Sequence, residues 1–235
     1  MKISITRQNL SIYIKESASH ALMEKKEFYI YGDILVLVKD PLPHDIDLSI
    51  CLQEVEKTIP KYLVYELDSV FIGKFPEFKE KNINAFYKDG AIYITNEQET
   101  EDDFIDDLVH EMAHLVEKTY AVDLYGDQKV AREFLGKRQK LFYLLKEEGY
   151  DVEPKDFMNL DYSYDFDMFL LKEVGYATLT TLTVGLFLSP YGTTSLAEYF
   201  AEGFEFFFLR DADYVRSVAP SCYQKINHLL EIEIE

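Results

Sequence analysis

Residues 100–119 read TEDDFIDDLVHEMAHLVEKT, and this stretch sets the organisation of the whole chain. Apolar side chains recur along it at three- and four-residue intervals, which is the pattern of an amphipathic helix. Thr100 and Asp103 have the spacing of a capping box, and acidic residues in the first turn complement the positive end of the helix dipole. The stretch therefore predicts a long, well-capped helix near the middle of the chain.

The same stretch contains His110-Glu111-Met112-Ala113-His114, in which two imidazoles one helical turn apart share a face and can reach one metal ion. Glu111, about 100° round the helix from His110, would lie beside the open position of that metal and accept a proton from water. A helix with two surface histidines and a solvated glutamate would show the same pattern. Because two of the chain's five histidines fall at this spacing on a strongly periodic helix, the pattern favours zinc.

A hydrolytic zinc site needs a third protein ligand and keeps the fourth position for water. No further histidine follows at a short distance, so the candidates are downstream carboxylates. Glu198, Glu202 and Glu205 share one face of a predicted helix that begins near Ser195. Ser195-x-x-Glu198 is itself a capping-box signature, and Glu202 and Glu205 are compatible with a solvated face. Spacing alone leaves open whether Glu198 or Glu202 touches the metal.

Upstream of the histidine helix the chain predicts strands with helices between them, and downstream it predicts mostly helices. The predicted strands and hairpins cover residues 28–39, 63–72 and 85–95, and a helix covers 46–62 with a break near Pro60. The predicted downstream helices cover residues 127–148, 195–209 and 220–231, with another beginning near Tyr164. Residues 178–188 fit either a strand or a buried helix. This order indicates an α+β fold in a single domain over 1–235, with an N-terminal α/β lobe over 1–119 and a helical C-terminal lobe over 120–235.

Residues 191–204 read YGTTSLAEYFAEGF, which resembles the C-terminal signature of the anthrax lethal factor-like metallopeptidases, a group that includes the Pro-Pro endopeptidases. The shared features are a tyrosine followed by glycine, a glutamate seven residues after the tyrosine, and then an aromatic pair, Ala-Glu and Phe. Val218-Ala219-Pro220 resembles the opening of the family's last helix, and residues 91–96 resemble the strand ahead of its zinc-binding helix. The resemblance covers residues 85–119 and 190–228.

The resemblance implies a zincin-like metallopeptidase, with a twisted N-terminal sheet above the central HExxH helix. It implies zinc held by His110, His114 and Glu198, with Glu111 as the general base. It further implies that Tyr191 stabilises the transition state and that Glu202 supports the site from outside the coordination sphere. A peptide substrate would add as a further strand beside an edge strand made of Ala91, Ile92, Tyr93 and Ile94.

The chain also departs from the family pattern. His114 and Glu198 lie 84 positions apart, which is more than the resemblance leads us to expect. The excess indicates an insertion near residues 121–175, which contains a long charged helix and the aromatic-acidic run MNLDYSYDFDMF at 158–169. This insertion is compatible with a lid, a partner surface or a replacement for missing domains. The first 80 residues carry no signature of the family.

Forty-three acidic and 24 basic residues give a net charge of −19. Such a charge argues against nucleic acid and anionic membranes as partners, and it predicts a peptide or protein substrate that is basic or neutral. Apolar runs fall well short of the roughly 18 residues of a membrane span, and residues 1–14 do not read as a secretory leader. The predicted location is cytoplasmic, or secreted if a leader preceded residue 1. Cys51 and Cys222 are compatible with one disulfide or two buried thiols, and the oligomeric state stays open.

The sequence therefore predicts a zinc-dependent endopeptidase in which Glu111 activates water. Two alternatives remain. One is a catalytically silent protein that kept the fold for binding or structure, against which the intact Glu111 and Tyr191 count. The other is a peptidase dedicated to a single regulatory protein in the cell, which would share the chemistry and differ only in its partner.

Overall fold

A computed structural model describes residues 27–231, and in this range the chain is α+β, with a five-stranded mixed sheet followed by helices. The strands are β1 (Glu27–Ile30), β2 (Ile34–Val38), β3 (Ser69–Gly73), β4 (Ala85–Lys88) and β5 (Ala91–Thr95). Their order in the sheet is β1-β2-β3-β5-β4, with antiparallel pairs at the two sides and parallel pairs around β3. Residues 1–26 lie outside this description, and with them the start of the predicted strand-rich region.

The hairpin predicted over 85–95 is confirmed, and a two-residue turn joins its strands β4 and β5. Asp89 and Gly90 have φ angles of 49° and 85°, the left-handed pair that suits the twist of a tight hairpin. A Cβ on Gly90 would lie 2.6 Å from the Oδ2 atom of Asp68, so a side chain there would displace this carboxylate as well as strain the backbone. The hairpin predicted over 28–39 is also confirmed, as β1 and β2.

The strand predicted over 63–72 is correct only in its second half. Residues Lys61–Val64 form a 3₁₀ turn, and β3 begins at Ser69. The neighbouring side chains of Leu63 and Val64 are both fully buried, whereas a strand would send them to opposite faces. Burial of an apolar turn against the helices therefore produced the strand-like composition.

The prediction that residues 91–94 form an edge strand is wrong. β5 lies between β3 and β4 and is paired on both sides. The tight turn at Asp89 and Gly90 folds β4 back along the side of β5 that faces away from β3, so that Ala85 pairs with Ile94. Among the strands of residues 27–231, the edge at this side is therefore β4.

Helices α1 (Leu48–Thr58) and α2 (Pro76–Lys81) lie between the strands, and the rest follow the sheet. They are α3 (Glu101–Thr119), α4 (Ala121–Tyr125), α5 (Lys129–Glu147), α6 (Tyr164–Met168), α7 (Tyr176–Leu182), α8 (Leu196–Leu209), α9 (Ala212–Val218) and α10 (Pro220–Glu231). Shorter turns lie at Pro154–Phe157 and Tyr191–Thr193, and a π-helical turn covers Phe169–Val174. The predicted helices over 127–148, 195–209 and 220–231 are confirmed, and the ambiguous segment 178–188 contains the end of α7.

Helix α3 packs against β4 and β5 on one side and against α8 on another. Its residues Phe104, Leu108, Met112 and Leu115 are fully buried. They belong to one buried cluster that extends from the sheet into the helices without interruption. The helix is thus held between the sheet and the helical region, where its third face is free to line a cleft.

A buried arginine attaches the insertion to the start of α8. Arg138 of α5 is 1 % exposed and donates hydrogen bonds to the backbone carbonyls of Thr194, at 3.2 Å, and of Asp156. Its guanidinium carbon lies 4.2 Å from the ring centroid of Phe166. Carbonyls and an aromatic face together compensate for the lost hydration of the cation. The insertion is therefore packed onto the helix that carries Glu198.

The sequence also led us to expect no membrane-spanning helix and left open the state of the two cysteines. Within residues 27–231, no helix combines the length and the apolar character that crossing a membrane requires. Cys51 and Cys222 are both free and buried, so the alternative of two thiols is the correct one.

Candidate metal centre

The two histidines of α3 face a cleft of about 800 Å³ between the sheet and the insertion. The helix begins in the predicted capping box, with the Asp103 amide donating to Thr100 Oγ1 at 3.1 Å and the Thr100 amide to Asp103 Oδ2 at 3.0 Å. The rings of His110 and His114 are 5.0 Å apart between centroids. The opposite face of α3 is buried in the core, and the face that lines the cleft carries both imidazoles together with Asp106, Asp107 and Glu111.

Glu198 approaches both histidines from the first turn of α8. Its Oε2 atom lies 2.9 Å from Nε2 of His110 and 3.6 Å from Nε2 of His114. In a tetrahedral zinc site with bonds of about 2.0–2.2 Å, neighbouring ligand atoms lie about 3.3–3.6 Å apart. The two contacts of Glu198 lie close to this range and all three ligand atoms lie within 4.8 Å of one another, and two imidazoles with one carboxylate are a suitable donor set for zinc.

The alternative assignment of Glu198 to a capping box is half correct. The Ser195 hydroxyl accepts a hydrogen bond from the Glu198 amide at 3.1 Å, so the serine caps α8. The Glu198 carboxylate does not return to the serine backbone and instead faces the histidines. The signature therefore starts the helix and leaves the carboxylate available for the site.

Charge complementarity between these groups is strong. Burial by itself would raise the pKa of Glu198, but its hydrogen bond to His110 and its ion pair with His114 outweigh burial and lower the pKa to about 2. Burial opposes protonation of His114, yet Glu117 and Glu198 raise its pKa to about 9. The pKa of His110 is raised in the same sense, with Glu198 and Glu205 overcoming burial. The site favours a positive charge, whether imidazolium protons or a metal cation carry it.

Each imidazole also has a carboxylate near its second nitrogen. Nδ1 of His110 lies 3.5 Å from Glu205, and Nδ1 of His114 lies 3.6 Å from Glu117. Glu117 in turn accepts a hydrogen bond of 2.6 Å from the hydroxyl of Tyr125. Carboxylates in this place orient metal-binding imidazoles and raise their basicity. Sequence reasoning missed the role of Glu117, although its three-residue spacing from His114 was a usable signal.

Glu111 lines the cleft beside the histidines and is only 7 % exposed. Burial raises the pKa of its carboxyl, and the neighbouring His114 and His110 partly oppose this rise. The residue predicted to be the general base therefore lines the same cleft as the three candidate ligands.

Tyr191 lies in the 3₁₀ turn immediately before α8 and faces the same cleft. Its ring centroid is 6.2 Å from that of His110. Its hydroxyl makes no hydrogen bond to any residue within 27–231, and burial followed by the charge of Glu198 raises its pKa. The turn is held by Thr194, whose amide and hydroxyl both donate to the Tyr191 carbonyl, at 3.0 and 2.8 Å. A protonated phenol is thus available beside the candidate metal position.

Glu202 lies one turn further along α8, beneath the turn that carries Tyr191. It is 9 % exposed, and a Cβ on Gly192 would meet its Cγ atom at 3.4 Å. Burial, followed by the charge of Glu205, raises its pKa to about 7. Ligand atoms of His110, Glu202 and Glu205 also meet within 4.8 Å, but Glu205 is on the Nδ1 side of the ring, away from Glu198. Glu202 therefore lies against the turn and outside the group formed by His110, His114 and Glu198.

The residues predicted to bind a peptide strand are not brought to the site. Ala91, Ile92 and Ile94 are buried, and both sides of β5 are paired. Tyr93 stacks on Phe86, with 4.7 Å between ring centroids. The strand that lines the cleft is β4, through residues 85–87. Sequence reasoning predicted the hairpin over 85–95 but took β5 and not β4 as the edge strand, because pairing order depends on contacts that lie far apart in the chain.

The cleft is strongly acidic. Eight carboxylates line it against one lysine, Lys172. Those outside the candidate ligand set are Glu80, Asp106, Asp107, Glu111, Asp167, Glu202 and Glu205. Burial raises the pKa of both Asp106 and Asp107 to about 6.

Comparisons with protein-family models, with curated proteins and with solved structures find no match to this chain. The resemblance to the lethal factor-like metallopeptidases therefore rests on the motifs alone. The assignment of the site rests on its geometry.

Proposed function

We propose that this protein is a zinc-dependent endopeptidase of the zincin-like type. The observation that supports it is the meeting of Glu198 Oε2 with Nε2 of His110 and of His114, at 2.9 and 3.6 Å. These atoms come from two helices separated by the whole insertion, so helical periodicity alone does not produce the contact.

When bound by His110, His114 and Glu198, zinc would polarise the scissile carbonyl and make water a better nucleophile. Glu111 accepts the proton of the attacking water and passes it to the leaving amine. The Tyr191 hydroxyl donates to the oxygen on which negative charge develops. Glu202 holds the turn from which Tyr191 projects.

An extended peptide would bind along β4, which is the outer strand of the sheet formed by residues 27–231 and lies next to the cleft. Backbone hydrogen bonds to such an edge hold a substrate in register without reading its sequence. The peptide-binding role predicted for residues 91–94 thus passes to residues 85–88.

The test is to compare the full chain with its Glu111→Gln variant. Gln is nearly isosteric with Glu but accepts no proton from water, so we expect full zinc content, an unchanged melting temperature and loss of turnover on a peptide mixture. Zinc is measured by elemental analysis and cleavage by mass spectrometry. Glu173→Gln, at an exposed site outside the cleft, is the matched control and should cleave like the unmodified chain.

The same measurement separates the two alternatives. Cleavage of many unrelated peptides indicates a general peptidase, and cleavage of very few indicates a dedicated one. Zinc binding without any cleavage would show a silent protein, and near-normal turnover by Glu111→Gln would show that another group is the base.

A further inference from the structure

A second cavity, of about 600 Å³, adjoins the metal cleft. We call it the α5 pocket, because it is bounded by α5, by residues 160–162 and by the first turn of α8. Tyr162 and Glu198 line both cavities, so the α5 pocket lies beside a candidate zinc ligand. Its volume is within the roughly 300–1,000 Å³ of typical ligand pockets. Most of its walls belong to the insertion, to which the proposed peptidase chemistry assigns no role.

Aliphatic side chains that keep part of their surface accessible line the α5 pocket. These half-buried residues are Ala131, Leu135, Leu160, Leu196 and Ala197. The three leucines also pack against the core, which holds them in place. At the polar side of the pocket, Arg132 and Asp161 are exposed and carry opposite charges. The pocket therefore offers accessible apolar surface, which a ligand gains free energy by covering.

Hydrogen bonds within the chain hold the walls of the α5 pocket together. The Leu196 amide donates to the Leu160 carbonyl at 2.8 Å, which attaches residues 160–162 to the start of α8. Arg138 of α5 donates to the Thr194 carbonyl at 3.2 Å, immediately before the same helix. The three walls are thus joined without a ligand. A preformed pocket of this kind loses little conformational freedom when a side chain enters it.

The two carboxylates in the pocket wall next to the metal centre, Glu117 and Glu198, already have partners. The Glu198 carboxylate contacts both histidines. Glu117 accepts a hydrogen bond of 2.6 Å from the Tyr125 hydroxyl and lies 3.6 Å from Nδ1 of His114. Because groups of the chain itself compensate both charges, the α5 pocket favours an apolar ligand over a cation.

We infer that the α5 pocket is a subsite for one apolar side chain of the substrate, of the size of leucine, methionine or phenylalanine. The inference rests on the proposed peptidase function and names a substrate class for it. Because Glu198 is part of the pocket wall, this side chain belongs to a residue close to the cleaved bond. A smaller side chain leaves the aliphatic walls uncovered, and a charged one loses hydration against them, so both bind more weakly.

The probes are acetylated and amidated peptides in which one position at a time is alanine, norleucine, phenylalanine or lysine. Cleavage by the full-length active protein is measured by mass spectrometry, and binding to full-length Glu111→Gln by fluorescence anisotropy. At one position, norleucine should exceed alanine in kcat/KM by about tenfold or more, because one methylene in an apolar pocket already changes this ratio by roughly 10- to 200-fold. Lysine, which adds a charge to the stem of norleucine, should be cleaved less readily.

Two substitutions change the α5 pocket in opposite directions. Ala131→Leu fills it from α5 and should lower the preference for norleucine over alanine by about tenfold or more. Leu135→Ala, one turn further along the helix, enlarges it and should raise phenylalanine relative to norleucine by several-fold. Ala121→Leu adds the same atoms at an exposed position of α4, outside the cleft and the α5 pocket, and should leave every preference unchanged. Melting temperatures and zinc content are measured for each variant.

Each outcome decides the inference. Cleavage with no apolar preference, with lysine preferred to norleucine, or with a preference that Ala131→Leu leaves unchanged overturns the subsite and leaves the peptidase function standing. A lower melting temperature of Ala131→Leu, together with unchanged preferences in Leu135→Ala, would show that the chain itself fills the pocket and also overturns the subsite. An apolar preference in binding that Ala131→Leu removes, without cleavage by the active protein, supports the subsite and contradicts the peptidase function. If no peptide is bound or cleaved, both proposals are wrong.

Discussion

Helices α3 and α8 begin with the same local signature but use its acidic residue differently. In Thr100-x-x-Asp103 the hydroxyl and the carboxylate both return to the backbone, so the capping box is complete. In Ser195-x-x-Glu198 only the hydroxyl does so, and the carboxylate faces two imidazoles. The signature thus determines where a helix begins, and the groups opposite determine where its carboxylate points.

Magnitudes explain this difference. A helix N-cap contributes about 1 kcal/mol, and the carboxylate half of a box adds to a cap that the hydroxyl already makes. A charge-assisted hydrogen bond contributes about 1.5–3 kcal/mol, and metal coordination contributes much more. Glu198 therefore gains more from the histidines than from its own backbone. Asp103 has no such group opposite and closes the box.

The largest expected effect is the difference between removing the carboxylate of Glu198 and removing that of Asp103. Glu198→Ala should lose zinc affinity by far more than the roughly 10- to 100-fold typical of supporting contacts, because a direct ligand is gone. Asp103→Ala should keep zinc affinity and lose only about 1 kcal/mol of stability. Competition against a zinc chelator and chemical denaturation measure the two quantities. Equal zinc affinity in the two variants would show that Glu198 is not a ligand.

The start of α8 also differs from that of α3 because the turn before it carries Tyr191, the proposed donor to the developing oxyanion. Tyr191→Phe should lower kcat by about 10²–10³, the usual loss for one donor to a developing oxyanion. KM and zinc content should change little, because that hydrogen bond strengthens only in the transition state. Tyr143→Phe, at an exposed position on α5, is the control in steady-state assays. Loss of zinc on Tyr191→Phe would show that the residue has been misassigned.

A smaller effect is expected one turn into α8. Glu202→Ala should weaken zinc binding by about 10- to 100-fold, because Glu202 supports the site without coordinating the metal. Glu173→Ala removes an exposed glutamate outside the cleft and should have no effect. If chelator competition finds Glu202→Ala as damaging as Glu198→Ala, Glu202 is itself a ligand.

The smallest expected effect comes from removing the capping hydroxyl of either helix, that of Thr100 or that of Ser195. Thr100→Ala and Ser195→Ala should each lower the free energy of unfolding by about 1 kcal/mol, since both side chains cap their helices. Neither should change zinc affinity strongly. A large loss of zinc from Ser195→Ala alone would mean that the cap, and not the pair of histidines, positions Glu198.

Local patterns predicted the long elements well. The capping box and apolar period of α3 lie within one segment, and the predicted boundaries of α8 and α10 agree with the structure to about one residue. The β4–β5 turn was predictable for the same reason, because Asp89 and Gly90 are adjacent and need no distant partner. In such cases the physical cause and the sequence signal lie in the same few residues.

Contacts between distant residues could not be predicted in this way. The position of β5 inside the sheet depends on pairing with β3 across the chain, and a single strand carries little sign of that choice. Glu198 could be selected over Glu202 only through the family resemblance, because helical spacing allows both carboxylates to face the histidine helix.

Each half of the molecule contains one free thiol, and the rate at which a reagent labels that thiol reports how often its surroundings open. Cys51 lies in α1 beside the sheet, and Cys222 lies in α10 where it contacts Gly203 of α8. Both are completely buried, and burial raises both pKa values, that of Cys51 to about 12. A thiol reagent can therefore attack either one only while its surroundings are open. Equal rates of labelling would describe a protein that opens as one unit, and unequal rates would show which half opens first.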